Sequence, residues 1–152
     1  MELLEILYGA VVGIFSGSIV LFCIYLLQFK FPKLFSMNPF HFLGSVVFID
    51  SSLIYFFGSL FCFLASGSIG IVYAYTYSFD QSLILTTIFL IVFQYIFFGF
   101  LIGFFANFHP AVNSKEISKP GFFWITDTKF NGFLFFVINL SFGLIISLIY
   151  LI

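Results

Sequence analysis

The chain has 152 residues, of which 62% are hydrophobic and 7% charged, with a formal net charge of -1. Soluble domains carry about 25% charged residues, so this composition cannot cover a globular surface, and its wealth of apolar side chains excludes an unfolded chain. Five lysines and no arginine leave no basic patch, so no nucleic-acid partner is expected and the lipid bilayer is the expected one.

Met1-Glu2-Leu3-Leu4-Glu5 opens the chain with an acidic flank. A secretory signal would need a positive flank and a short apolar core. The following apolar run, residues 6–29, is long enough for a full span and is expected to be retained. It carries Gly9, Gly13 and Gly17, a doubled GxxxG on one helix face.

The connection at 30–50 contains Pro32 and Asn38-Pro39, then a short apolar stretch at 39–48. Asn followed by Pro is a helix-start signal. About ten residues cannot cross a bilayer, so a short re-entrant or interfacial helix is predicted. Residues 51–79 form the second charge-free run, with Gly58, Cys62, Ser66, Gly70 and Ala74 at every fourth position. Asp50-Ser51-Ser52 is the predicted N-cap. The third span, 82–105, is capped by Asp80 and carries Gln94 and Tyr95 at its middle, then Gly99 and Gly103.

The long connection at 106–129 holds His109-Pro110, Lys119-Pro120-Gly121 and Phe122-Phe123-Trp124, the last read as an interfacial anchor. Thr126-Asp127-Thr128 caps the fourth span, 130–152, which carries Asn139, Gly143 and Ser147. The predicted fold is one all-α integral membrane domain: a four-helix bundle with a short helix between its first two spans. Runs of this length cannot be barrel strands, which are about 9–11 residues long and alternate in polarity.

All five lysines fall in the connections at 30–50 and 106–129. Those connections are therefore expected to be cytoplasmic, with both termini outside, in a bacterial or archaeal cytoplasmic membrane. The small-residue stripes predict close helix packing through Gly9, Gly13, Gly17, Gly58, Ser66, Gly70, Gly99, Gly103, Gly143 and Ser147. Ser66-x3-Gly70-x3-Ala74-x2-Tyr77 aligns with Asn139-x3-Gly143-x3-Ser147-x2-Tyr150, which suggests two helical hairpins in the same orientation.

Charged residues within a span mark ion pathways and relays, and no span has Asp, Glu, Lys, Arg or His near its centre. Gln94, Tyr95 and Asn139 are the polar candidates, either as interhelical hydrogen bonds or as the lining of a solute seam. His41, Asp50 and His109 form a candidate cluster among the connections. No metal or cofactor is expected, since Cys23 and Cys62 sit in apolar runs and no Cys/His spacing suits zinc. G-x-S-x-G, H-E-x-x-H and P-loop patterns are missing. The expected role is a non-enzymatic structural or accessory subunit; a homodimer and a larger membrane complex are the two assemblies expected beyond lipid. The alternative is a small dimeric permease or channel.

The layout carries Gly9-x3-Gly13-x3-Gly17, Phe42-Leu43-Gly44-Ser45, Gly70-x2-Tyr73-Ala74, a His-Pro…Pro-Gly connection and Gly143-x6-Tyr150. In this it resembles the YagU-like small four-helix bacterial inner-membrane proteins of unknown function. The resemblance implies architecture and no activity. Members often carry His in the second and fourth helices one turn before the Gly, where this chain has Ser66 and Asn139.

Overall fold

A computed structural model describes residues 3–32, 38–47, 53–79, 82–125 and 129–151. The elements are α1 (Leu3–Lys30), α2 (Pro39–Gly44), α3 (Ile54–Tyr77), α4 (Leu83–Phe105), α5 (Pro110–Asn113), a 3-10 turn (Phe122–Trp124) and α6 (Lys129–Leu151). No strand occurs among the described residues. Helices α1, α3, α4 and α6 are long and apolar enough to cross a membrane, and the protein is an all-α four-helix membrane bundle.

The short helix is α2, started by Asn38, whose side chain accepts the His41 backbone N–H at 2.9 Å. It ends four residues earlier than the predicted 48, because Ser45 caps it, returning its N–H to the His41 carbonyl. Helix α3 begins at Ile54 behind Leu53, and α4 at Leu83 behind Ser82. The predicted caps Asp50-Ser51-Ser52, Asp80 and Thr126-Asp127-Thr128 lie outside the described residues.

Lipid offers helices no hydrophobic reason to associate, so contact depends on how closely backbones approach. On α1 and α3 that approach is extreme. A Cβ on Gly13 would strike the Ser66 carbonyl and come within 2.8 Å of Gly70 Cα, and one on Gly9 would come within 3.0 Å of the Gly70 carbonyl. Gly17 faces the Ser66 side chain. Helix α2 docks on α3 in the same way: Gly44 lies against the Ile54 carbonyl and Gly58 against the Phe40 carbonyl. At Gly9, Gly13, Gly44 and Gly58 an added methyl group would meet backbone, whereas at Gly17 it would meet only side chains.

Helix α4 is held differently. A Cβ on Gly99 would overlap the Phe123 ring, and one on Gly103 the Phe122 ring. The small stripe of α4 therefore receives two aromatic rings from the connection after it, rather than another spanning helix. Phe123 (φ 56°, ψ 28°) and Trp124 (φ 56°) are both left-handed, an uncommon conformation for bulky residues. The turn is closed by the Gly121 N–H donating to the Ile125 carbonyl at 3.0 Å and by the Ile125 N–H donating to the Phe122 carbonyl at 3.1 Å. Trp124 is 7% exposed. It packs edge-on to Phe42 at 5.2 Å and against Phe135 at 6.5 Å, so it faces the interior instead of anchoring at the interface.

Outward surfaces carry large apolar side chains, including the parallel ladder Phe89–Phe93–Phe97 along α4, with ring spacings of 6.3 and 5.9 Å. Cys23 is exposed and Cys62 buried, and both are free thiols.

Candidate functional site

Three polar clusters tie the α1–α3 half to the α4–α6 half, at three depths. At mid-bundle, the Tyr73 hydroxyl donates to Gln94 Oε1 at 3.2 Å. Gln94 Nε2 donates to Asn139 Oδ1 at 3.0 Å, and Asn139 Nδ2 donates to the Phe135 carbonyl at 2.8 Å. All three side chains are buried, Tyr73 to 1% exposure. The chain of bonds runs in one direction and ends on the Phe135 backbone carbonyl, within α6 itself. Such bonds are worth about 0.6–2 kcal/mol each in membranes.

Gln94 and Asn139 thus meet, as their mid-span positions allow. Tyr95 does not join them. One residue along a helix turns the side chain by about 100°, and Tyr95 packs instead on Phe123, Phe135 and Phe136. There it lines a lateral crevice of about 500 Å³ with Phe133 and Gly132. The third member of the cluster is Tyr73, which sequence reasoning missed. Its signal was its place three residues after Gly70, whose stripe was assigned to packing alone.

The second cluster lies toward the end of the bundle that holds the N- and C-terminal helix ends. Tyr77 Oη, Thr87 Oγ1 and Ser147 Oγ form a triangle with sides of 2.8, 2.7 and 2.8 Å. Thr87 also reaches the Leu83 carbonyl and Ser147 the Gly143 carbonyl, each at 2.7 Å. Three hydroxyl protons are shared among five contacts, so the cluster is richer in acceptors than in donors. Gly143 faces Ile91 and the Tyr73 hydroxyl, which lets α6 approach α3 and α4 beside both clusters. Above them, Tyr77, Tyr150 and Tyr8 surround a cleft of about 430 Å³ also lined by Leu4, Glu5, Ala74 and Ser78.

The third cluster joins the two connections at the lysine-bearing end. His109 is 3% exposed and stacks on the Phe42 ring at 4.5 Å. Its Nε2 lies 2.7 Å from the Phe42 carbonyl. A carbonyl can only accept, so Nε2 carries the proton and Nδ1 presents a lone pair. Nδ1 is buried without a partner. Burial holds the His109 imidazole below its ordinary 6.5; the Phe42 bond opposes that shift and nearby His41 adds to it. His41 packs edge-on to Tyr55 and lines a cleft of about 210 Å³ with Asn38, Phe42, Ser118 and Trp124. His109 thus contacts Phe42 directly, while His41 lies near enough to act on its charge. Asp50, the third predicted member, lies outside the described residues. Among the described residues, no group of three His, Cys, Asp or Glu side chains is arranged to hold a metal.

Comparison of the chain with protein-family models, curated proteins and solved structures finds no match.

Proposed function

We propose that this membrane protein is a structural or accessory subunit rather than an enzyme. The observation that carries the reading is the Tyr73–Gln94–Asn139 chain. The mid-membrane polar side chains spend their hydrogen bonds on one another and on backbone, which is how polar residues serve as interhelical glue. The extensive apolar exterior leaves room for neighbouring helices as well as lipid. The YagU-like resemblance agrees with this reading in architecture. In this reading the lysine-bearing connections at 30–50 and 106–129 face the cytoplasm and both termini face away from it.

The test is purification at native expression in lipid discs, with mass spectrometry of whatever stays bound. A stoichiometric larger membrane partner supports the accessory role. A lone monomer or dimer overturns it. The second reading, a small dimeric permease, draws on the succession of polar groups from Asn139 at mid-bundle to the Tyr77–Thr87–Ser147 triangle and the cleft beyond. Solute flux in vesicles that disappears in Gln94→Leu and Asn139→Leu would favour it.

A further inference from the structure

The cleft of about 210 Å³ at the lysine-bearing end is lined by polar side chains with more protons to give than to receive. One wall is the start of α2, with Asn38 and His41; the other is the connection after α4, with Ser118 and Trp124. Asn38 sets the sign. Its Oδ1 accepts the Tyr25 hydroxyl at 2.8 Å and the His41 backbone N–H at 2.9 Å. A backbone N–H can only donate, so that end of the amide is the oxygen. The Nδ2 group, with its two protons, points away from both bonds and donates to no described residue.

Trp124 adds a second donor. Its side chain is 7% exposed, and an indole nitrogen can only donate. The N–H meets no acceptor among the described residues, yet it is not sealed in as His109 Nδ1 is, so it opens on the cleft that Trp124 lines. Ser118 contributes an exposed hydroxyl and His41 an imidazole N–H, neither bonded to a described residue. The Phe42 carbonyl is already taken by His109 and Ser45. Among the described residues no carboxylate lines the cleft, and Glu116 beside it is exposed. Lys119 stands between the lining residues Ser118 and Pro120 and bonds the neutral Asn107 Oδ1, so its charge stays uncompensated. Donors converging from two walls beneath a basic rim suit an oxyanion, and the apolar faces of Phe42 and Pro120 strengthen each bond. Phosphate presents acceptor oxygens in several directions, whereas those of a carboxylate lie in one plane. The cleft also lies at the end of the bundle, the depth of phospholipid headgroups.

We propose that the cleft formed by Asn38, His41, Ser118 and Trp124 binds a phosphate group, presented either by a phospholipid headgroup or by free phosphate. The proposal stands independently of whether the chain is an accessory subunit.

The whole chain in maltoside micelles provides the test, because its only tryptophan lines the cleft and reports on it through its emission. Three probes are titrated at constant ionic strength: sodium phosphate against sodium chloride, dioleoyl phosphatidic acid, and dioleoylglycerol, which has the same chains and no phosphate. A saturable shift with phosphatidic acid where sodium phosphate gives none supports the site and identifies a lipid headgroup. A saturable shift with sodium phosphate supports it and shows the free anion to be sufficient. Asn38→Asp keeps the oxygen that caps α2 and replaces the donating amide group by a carboxylate oxygen, so affinity should fall about tenfold or more. Ser118→Asp, at an exposed position, should lose about as much. Ser114→Asp makes the same charge change on the same connection outside the cleft and should lose less than about threefold. Circular dichroism and thermal melts check the folding of each variant. Should Asn38→Asp fail to fold, the comparison of Ser118→Asp with Ser114→Asp still decides. No shift with either phosphate probe, an equal shift with dioleoylglycerol, or equal affinities in Ser118→Asp and Ser114→Asp overturns the assignment.

Discussion

In the α1–α3 pair, Gly9, Gly13 and Gly70 let backbone rest on backbone; in the α4–α6 pair, the two glycines of α4 are filled by Phe122 and Phe123 from the connection between the helices. The same small-residue spacing therefore has two outcomes. Where the facing helix also presents small residues, the stripe becomes a helix crossing. Where the facing element is a turn rich in aromatics, the stripe becomes a socket. The first arrangement is rigid because nothing in it can rotate away. The second depends on two left-handed residues holding the rings in place, at a cost of roughly 1–2 kcal/mol per residue relative to an ordinary conformation.

The contrast can be broken at either half, and the sizes should differ. Gly70→Val is expected to have the largest effect. Its Cβ would meet the Gly9 carbonyl and lie 2.6 Å from Gly13 Cα, so the obstacle is backbone. The loss should exceed the about 1–3 kcal/mol usual for overpacking, read as unfolding free energy in bicelles by steric trapping. Gly99→Ala should cost about 1–3 kcal/mol, because a ring can move where a backbone cannot. Combined with Phe123→Leu, much of that loss should return. A strictly additive double variant would show that the ring does not occupy the socket.

Smaller still, Gln94→Leu and Asn139→Leu should each cost about 0.6–2 kcal/mol. The double variant should cost less than the sum, since they remove one shared bond. The mildest effect is a pH dependence from the seam between the halves. The His109 imidazole titrates below 6.5 in the fold and near 6.5 when unfolded. Above that pH both states are neutral and the contribution is flat. As pH falls below it the unfolded state gains the proton first, so stability declines until the folded state also titrates. Thermal unfolding from pH 8 to 5 should show this decline in the parent and less of it in His109→Phe.

Much of this could be read from residues alone, and the limits are physical. The spans followed from charge-free runs, since lipid forbids an unpaired charge or an unpaired backbone group, and the observed helices start and end within three residues of the expected 4–29, 51–79, 82–105 and 130–152. Periodicity placed Gly99 and Gly103 on one face but could not say what would cover it. A left-handed Phe123-Trp124 pair contradicts local preference, so no sequence rule anticipates it turning Trp124 inward. Gln94 and Asn139 stood out as polar residues in apolar runs. Tyr73 did not, because a tyrosine in a chain this rich in aromatics gives no contrast, and only the fold shows its hydroxyl to be the donor to Gln94.

The Phe122–Trp124 turn also has a bearing on biogenesis. Helices α1 and α3 carry the full complementary surface for one another, so this hairpin can close as soon as both have entered the bilayer. Helix α4 cannot dock fully on their arrival: its socket is filled only by residues synthesised after it, and Trp124 is covered by Phe135 of the last helix. Assembly is thus ordered from the N-terminal side, with the turn acting as a latch that engages when the final span is in place. A chain truncated before α6 should leave α4 accessible to crosslinking by lipid-embedded probes.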